Sequence, residues 1–327
     1  MPVHDKIGHS EATITKQEGL SKILQQHLAV CKNILGKHKY YPQQYYYFDI
    51  NAGCGFNDTE QCKGSPLIFL DATHDIELAY EVMLIEKDQD NACALRAALP
   101  DQDNITVFPS DNRDVLPQLI HNCLPRNGFG VIYHDPNGVP DFSLLTHIFN
   151  GNQKTRKLDV LIRLAGSSIK RTKHLNHKKL SDFLAAINKK FWIVKDLDGS
   201  DKWQWTFLLG LNWDGLRCWK SQGFHYINSA EGEDIFQRLN YNRQELQEIR
   251  QPELPYANYD EYLRHPTFRA IRSQAIAQAN GVCQRCYKRP VTEVHHLKYP
   301  KWGTFDVPEN LLPVCHQCHC ELHDKEN

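Results

Sequence analysis

The chain has 327 residues, of which 41% are hydrophobic and 24% are charged, and its formal net charge is −1. This is an ordinary soluble globular composition, long enough for two domains or for one large domain with an appendage. The longest apolar runs, SPLIFL and WTFLLGLNW, are far too short to span a membrane, and the start MPVHDKIGHSE lacks the apolar stretch of a secretory signal. The eleven cysteines are odd in number, which with no such signal predicts reduced thiols in a cytoplasmic protein without a membrane partner.

The first two thirds of the chain alternate between strand-like and helix-like patterns. Residues 15–36 have apolar side chains at helical spacing, which predicts an amphipathic helix. The run YYYFDINAGCGFN predicts a buried strand that leads into a glycine turn, and the next strand ends at Glu86. Three further strands are predicted in ITVFPSD, FGVIYHDPNG and LDVLIRLAG, helices in DNACALRAAL and LSDFLAAINKKF, and a closing hairpin in FWIVKDLDGSDKWQWTFLLGLNW. This alternation predicts an α/β fold with a doubly wound, Rossmann-like sheet and an antiparallel edge.

The pattern changes after Trp213 and divides the chain into three parts. Residues 1–213 form the predicted α/β domain. Residues 214–261 contain the helical run GEDIFQRLNYNRQELQEIR and the proline-bearing QPELPYANY, and they predict a helical connector. Residues 262–327 begin with the helical run TFRAIRSQAIAQANG and form a small C-terminal domain that holds five of the cysteines.

Two Cys-x-x-Cys pairs stand in this C-terminal domain, separated by 28 residues. Such a spacing has the form of a tetrahedral zinc site with four thiolates, which staples segments too short to bury a core. The predicted ligands of a structural Zn²⁺ are Cys283, Cys286, Cys315 and Cys318.

Four histidines in the same domain fit a second, catalytic site. His319 and His323 are four residues apart, so they share one face of a helix, and His295 could complete a set of three metal ligands. His296 is the neighbour of His295 on a predicted strand, so it points to the opposite face and is free to act as a base. Hydrolysis of a phosphodiester needs these parts, since a divalent ion stabilises charge on the phosphate and a base activates water.

The spacing HH–x13–N–x8–H between two Cys-x-x-Cys pairs resembles the HNH (ββα-metal) nuclease family over about residues 262–327. The resemblance implies a catalytic Mg²⁺ or Mn²⁺, or else Zn²⁺ or Ni²⁺, bound by His295, His319 and the second helical histidine, His323. It also implies that His296 is the general base and that Asn310 ties the loop and orients His296 through its backbone.

Basic residues surround this predicted nuclease site. Between Arg264 and Lys301 the only acidic residue is Glu293, a bias that suits a polyphosphate backbone. A second basic stretch covers residues 154–179, around the fifth predicted strand. The predicted nucleic-acid contacts are Arg269, Arg272, Arg285, Lys288, Arg289, Lys298, Lys301, Lys170, Arg171 and Lys173.

The glycine turn of the α/β domain fits a nucleotide site. D-x-x-x-G-x-G at the end of the first strand resembles motif I of S-adenosylmethionine-dependent methyltransferases, and the region 15–215 also resembles the three-Cys-motif partner (TcmP-like) family, which has a methyltransferase-like fold. In place of the D/N-P-P-Y/F loop that holds a target amine, this chain has DPNG at 135–138, so the domain is either an active methyltransferase or a ligand sensor or scaffold. The predicted cofactor-binding residues are Asp49, Gly53, Gly55, Glu86, Asp111 and Asp135.

Three functions compete on this basis. The first is a metal-dependent endonuclease that cuts DNA, in preference to RNA, with the α/β domain for recognition, regulation or modification. The second is a nucleic-acid methyltransferase whose zinc module only binds nucleic acid, and the third is a binding protein in which both sites are inactive. The presence of His296, Asn310 and His319 favours the first, because a zinc module alone does not need them. A nuclease joined to a methyltransferase-like domain indicates restriction or anti-phage defence in a prokaryote, with an operon-encoded protein or a second copy of the chain as further partner.

Overall fold

The computed structural model describes residues 11–57, 61–136, 138–199, 204–250, 256, 258–300 and 304–323. The chain divides into two compact units, residues 1–243 and residues 244–327. Within the described ranges, no helix has both the length and the apolar character needed to cross a bilayer.

The first unit is an α/β fold built on an eight-stranded sheet. Its strands are β1 (Gln44–Asp49), β4 (Ala79–Glu86), β5 (Ile105–Pro109), β6 (Phe129–His134), β7 (Leu158–Ala165), β8 (Phe191–Lys195), β9 (Trp205–Leu211) and β10 (Phe224–Tyr226), and a small separate ribbon is formed by β2 (Phe56–Asn57) and β3 (Cys62–Lys63). The order across the sheet is β10-β8-β9-β7-β6-β1-β4-β5. The pairs among β5, β4, β1, β6 and β7 are parallel, whereas β9 is antiparallel to both β7 and β8. The predicted doubly wound sheet with an antiparallel edge is therefore confirmed.

Helices cover both faces of this sheet. They are α1 (Glu11–Lys37), α2 (Ser65–Thr73), α3 (Gln89–Ala98), α4 (Asn112–Asn122), α5 (Phe142–Phe149), α6 (Gly166–Asn176), α7 (Leu180–Ala185), α8 (Leu216–Trp219) and α9 (Ala230–Asn240), with 3₁₀ turns at Gln153–Lys157 and Lys220–Gln222. Alternate residues of β1 supply the two cores. Tyr45 and Tyr47 pack with α1 and α2, while Tyr46 and Phe48 pack on the face covered by α4, α5, α7 and α9. Both faces of the sheet are thus buried, as the nearly continuous apolar strands predict.

The segment 214–243, expected to begin a helical connector, contributes to the first unit. It forms β10, which pairs antiparallel with β8, and α9, which packs on α6. A strand of three residues has too few positions to show a period in the sequence. The single helix expected from GEDIFQRLNYNRQELQEIR is two helices, because Tyr241 has extended backbone between α9 and α10 (Arg243–Arg250).

The second unit is a hairpin held between helices. Its elements are α11 (Tyr259–Arg264), α12 (Pro266–Gln278), β11 (Glu293–His296), the 3₁₀ turn Pro308–Asn310, β12 (Leu311–Val314) and α13 (His316–His323). The strands β11 and β12 are antiparallel, and His295 pairs with Leu312. Helix α12 contacts β12 and α13 contacts β11, so the histidine-bearing strand lies against the histidine-bearing helix.

Candidate metal centres and active site

Four cysteine sulfurs converge beside the hairpin of the second unit. Cys283 and Cys286 lie on the turn after α12, Cys315 follows β12, and Cys318 is on α13. Their sulfur atoms all lie within 4.8 Å of one another. A tetrahedral zinc ion bound at about 2.3 Å holds its sulfurs roughly 3.8 Å apart, so the cluster fits a structural zinc with little movement.

The chemistry of these thiols also suits a metal. Burial opposes ionisation of Cys283, but backbone N–H groups that donate to its sulfur outweigh this cost and lower its pKa to about 6. A thiolate is the form that binds zinc, and the ion replaces the protons of the remaining thiols when it binds.

Three imidazoles form a second cluster where β11 meets α13. The ligand atoms of His295, His319 and His323 lie within 4.8 Å of one another. His295 is buried at 5% exposure, and its ring centroid lies 5.7 Å from that of His319 and 5.0 Å from that of His323. The three residues that the sequence assigned to one metal are thus brought together by β11 and α13.

A carboxylate that the sequence analysis left without a role supports this cluster. Glu293 Oε2 lies 2.6 Å from His319 Nδ1, and its other oxygen lies 2.6 Å from His316 Nδ1. A carboxylate on one ring nitrogen fixes the tautomer and leaves Nε2 of His319 for a metal ion. The pKa of His319 is lowered, chiefly by burial and further by the imidazoles of His323 and His295, so its ring is neutral at neutral pH.

His296 occupies the opposite face of β11, as strand alternation predicts. Its ring stacks between Tyr299, with centroids 5.0 Å apart, and Phe268, with centroids 5.8 Å apart. Its Nε2 lies 3.0 Å from Oδ2 of Asp306. Burial lowers the pKa of His296, and the field of His295 lowers it further, while Asp306 opposes both. The neutral ring can therefore accept a proton.

Asp306 is a second carboxylate of this site, after Glu293, to which the sequence analysis gave no role. Its side chain is 1% exposed, and its oxygens accept hydrogen bonds from the Tyr262 hydroxyl (2.5 Å) and from Asn310 Nδ2 (2.5 Å) as well as contacting His296. Its signal in the sequence is an acid four residues before Asn310, in FDVPEN. One acid in a loop has no periodicity to distinguish it.

Asn310 connects the loop to the end of β11. Its Nδ2 donates to the Lys298 carbonyl, and its own carbonyl accepts from Leu297 N at 2.9 Å. These bonds hold the two residues that follow His296. The role of Asn310 as a tie through the backbone stays a prediction, and these are the bonds through which it would act.

The predicted nucleic-acid contacts of the second unit separate into two groups. Arg285 donates to the Cys318 carbonyl at 2.7 Å and pairs with Glu321 at 3.0 Å, and Arg289 Nη1 lies 3.9 Å from Cys315 Sγ. These two guanidinium groups are directed at the cysteine cluster. Arg272 donates to the Thr292 carbonyl, whereas Arg269, Lys288 and Lys298 are exposed, and Lys301 lies outside the described residues.

The second basic stretch, 154–179, is divided by β7. Its first part lies before that strand, and Lys170, Arg171 and Lys173 lie on α6 after it. Arg171 is exposed, and the Lys173 ammonium lies 4.1 Å from the centre of the Tyr241 ring. The two parts lie at opposite edges of the sheet, about 25 Å apart for a strand of this length.

The acids predicted to bind a cofactor meet at the carboxyl edge of the first unit's sheet. Glu86 ends β4, and its two oxygens accept from the backbone N–H groups of Gly53 and Asp88, each at 2.8 Å. Gly53 has φ +65° and Gly55 has φ +84°, and a Cβ at Gly55 would lie 2.8 Å from a side-chain carbon of Leu95. The glycines therefore have a structural reason to be present, and Glu86 keeps only its remaining lone pairs for a ribose.

The other three acids also have partners within the chain. Asp49 is buried, and burial raises its pKa to about 7. Asp111 caps α4 and accepts from Lys87 at 2.8 Å, which lowers its pKa. Asp135 accepts from Lys16 at 3.0 Å. The edge has the donors and acceptors that a nucleoside needs, but a ligand has to share or displace these contacts.

Comparisons with known proteins add a restriction enzyme and methyltransferase-like folds. No protein-family model matches the chain. The type IV methyl-directed restriction enzyme EcoKMcrA of Escherichia coli (strain K12) is 31% identical over 75 residues, which cover 20% of this chain and 26% of that enzyme. The chain thus spans about a quarter of the length of this curated relative.

The solved structures that are similar to the chain share little sequence with it. Protein LPL1258 from Legionella pneumophila str. Philadelphia 1 is 14% identical, with a TM-score of 0.38, over 66% of this chain and 90% of that one. The METTL16 MTase domain is 11% identical, with a TM-score of 0.36, over 57% and 66%. M. jannaschii TYW2 in complex with AdoMet is 14% identical, with a TM-score of 0.34, over 62% and 76%. The chain therefore resembles a restriction enzyme over one short segment, and methyltransferase folds are among its structural neighbours.

Proposed function

We propose that this protein is a metal-dependent endonuclease of the HNH type that hydrolyses phosphodiester bonds of DNA. The observation that carries the proposal is the placement of His295 and His296 on opposite faces of β11, with different partners. His295 faces two helical histidines, while His296 faces a buried carboxylate. A module that only bound zinc through its cysteines would need neither arrangement.

The residues of this site have separate tasks. With Nε2–H donated to Asp306, the basic lone pair of His296 is on Nδ1, which takes the proton from an attacking water. Asp306 fixes that tautomer and favours the imidazolium that forms, and Asn310 holds Asp306 in place. His295, His319 and His323 would hold a divalent ion, which would supply charge stabilisation to the phosphate oxygen and the leaving group.

The donor set bears on the choice of metal. Three imidazole nitrogens suit Ni²⁺ or Zn²⁺ better than Mg²⁺, which prefers oxygen ligands. Mg²⁺ or Mn²⁺ would have to take its remaining ligands from water and from the phosphate. All four ions therefore belong in the assay.

DNA is the proposed substrate, and a role in restriction or anti-phage defence is the proposed setting. The exposed Arg269, Lys288 and Lys298 supply positive charge in the nuclease unit. The likeness to a restriction enzyme supports DNA over RNA. The first unit would supply recognition, regulation or modification.

The test is cleavage of plasmid and phage DNA, and of RNA, by purified protein with each of the four ions. His296→Ala should abolish cutting while zinc content and metal binding stay at the wild-type level. His295→Ala and His319→Ala should weaken binding of Ni²⁺ measured by calorimetry. His147→Ala is the matched control, because this exposed histidine lies on α5 of the other unit. Cutting that survives in His296→Ala would refute the assignment of the base.

The first unit has its own candidate function, binding of S-adenosylmethionine. The observation that favours it is the meeting of Asp49, Glu86, Asp111 and Asp135 at the carboxyl edge of the sheet, where such folds bind ligands. Calorimetry with S-adenosylmethionine should show binding that Glu86→Gln weakens. If no heat is measured and Gly53→Ala only lowers stability, the glycine turn is structural and the domain is a scaffold.

A further inference from the structure

A cavity opens at the edge of the sheet opposite to the predicted cofactor site. It has a volume of about 590 Å³ and lies where β6, β7 and β8 begin, against the end of α1. This volume is within the range of small-molecule sites. Ligands of doubly wound sheets usually bind at the carboxyl ends of the strands, so the fold alone does not predict a site at this edge.

The charges that line the cavity are all positive. Arg156, Lys157 and Lys190 contribute to its wall, and no Asp or Glu of the described chain does. None of the three forms an ion pair with a described acidic side chain. The nearest acid in sequence, Asp159, is buried and already pairs with His27 at 3.1 Å. Among the described residues, the charged side chains that line the cavity are thus all basic and have no carboxylate partner.

A fourth cation lies behind the wall. The Lys189 ammonium is buried, lies 3.9 Å from the centre of the Phe149 ring, and donates to the Leu158 carbonyl. Phe149 itself lines the cavity. Burial lowers the pKa of the Lys189 ammonium and the field of Asp159 opposes this, so an anion in the cavity would further favour the charged form.

Aromatic rings form the rest of the binding surface. Tyr41, Phe129 and Trp213 line the cavity, and the Lys157 ammonium lies 5.5 Å from the Tyr41 ring and 5.7 Å from the Phe129 ring. Trp213 is held in place because its Nε1 donates to Asp159 at 3.2 Å. Aromatic rings beside cations are a combination that can bind the base and the phosphate of a nucleotide.

We propose that this cavity, defined by Tyr41, Arg156, Lys157, Lys190 and Trp213, binds a nucleotide. The base stacks on the aromatic side, and the phosphate contacts Arg156 and Lys190. The inference does not rest on the nuclease, because the cavity belongs wholly to the first unit.

The probe is thymidine 5′-monophosphate, which has no adenine to occupy a site for S-adenosylmethionine. Calorimetry on the full chain should show binding, with thymidine and inorganic phosphate each at least about tenfold weaker. The double variant Arg156→Gln/Lys190→Gln should weaken binding by about tenfold or more. The matched control Lys22→Gln/Lys220→Gln removes the same charge from exposed positions of the same unit and should stay within about twofold.

A second variant keeps the proposal testable if the double variant does not fold. Tyr41→Leu removes a stacking ring and should weaken the monophosphate more than it weakens inorganic phosphate. Absence of binding to the wild type, or equal affinities of the two double variants, would overturn the proposal. Equal loss of both ligands in Tyr41→Leu would overturn the stacking assignment.

A 5′-phosphorylated oligothymidylate of five residues separates the two sources of such a ligand. If the cavity takes the end of a strand, this oligonucleotide binds at least as tightly as the monophosphate, and its unphosphorylated form binds more weakly. If the cavity takes a free nucleotide, the oligonucleotide is excluded. Either result supports a nucleotide site.

Discussion

Replacement of Asp306 by asparagine tests the proposed active site most sharply, because it keeps the shape and removes the charge. The carboxylate faces three donors, from His296, Tyr262 and Asn310. The side-chain oxygen of an asparagine can accept two of these three hydrogen bonds, now without the added strength of a charge. The NH₂ group of the same side chain then faces the third donor. Losing the charge weakens two hydrogen bonds by about 1 kcal/mol each, and the opposed donors cost about 1–2 kcal/mol, which sums to roughly 3–4 kcal/mol of local stability.

The effect on cleavage should be larger than the effect on stability implies. An amide that presents its NH₂ group to His296 disfavours the tautomer with its proton on Nε2, and the wrong tautomer in a comparable triad costs about 10⁴ in rate. We expect cleavage to fall at least about a hundredfold, with the affinity for Ni²⁺ unchanged.

Two measurements on the same variant separate these effects. Hydrogen exchange of the backbone amides in β11 and β12 reports the local stability, and initial rates of plasmid cleavage report the chemistry. Glu309→Gln is the matched control, because Glu309 is exposed in the same loop. Wild-type rates of both exchange and cleavage in Asp306→Asn would show that Asp306 does not position the base.

Three further outcomes follow from other parts of the chain. Cys318→Ser should release about one zinc per chain, measured by atomic absorption, and should increase hydrogen exchange throughout the second unit. Gly55→Ala should lower the free energy of unfolding of the first unit by more than Gly53→Ala, measured in urea. Both have positive φ, which costs an alanine about 1–2 kcal/mol, but only at Gly55 would the Cβ meet a leucine side chain at 2.8 Å. Burial opposes the charged form of His27, but interactions with Cys31 and Asp159 outweigh this cost and raise its pKa to about 10. The stability that the charged ring contributes is therefore fully present below pH 6.5. It is lost as the pH rises towards 10, and thermal unfolding of Asp159→Asn should show a smaller loss over that interval.

The sequence could predict what depends on periodicity and on fixed spacing. Two neighbouring residues on a strand must face opposite ways, which placed His295 and His296 on different faces of β11. Parallel strands end at one edge, which brought Glu86 and Asp135 to the same side of the sheet. The number of basic residues in a stretch does not predict whether they lie on one surface of the folded protein. The stretch 154–179 was one basic surface in the sequence, whereas an eight-residue strand carries its two ends to opposite edges.

Residues that act through tertiary contacts were beyond the sequence. Asp306 lies in the loop before the 3₁₀ turn and reaches His296 through a tertiary contact, and Tyr262 reaches the same carboxylate from a helix 44 residues earlier. The strand β10 is defined by its partner β8 and not by its own three residues. Each of these features requires knowledge of which segments are neighbours in space.

The cysteine cluster and the histidine cluster of the second unit share one short helix. Helix α13 has eight residues, a length at which an isolated helix is unstable in water. It carries Cys318 of the cysteine cluster and, next to it, His319 of the histidine cluster. A structural zinc would fix α13 against β12 through Cys315 and Cys318, and this fixes where His319 and His323 project towards His295. We therefore infer that a zinc bound by the cysteine cluster would also set the geometry of the three imidazoles.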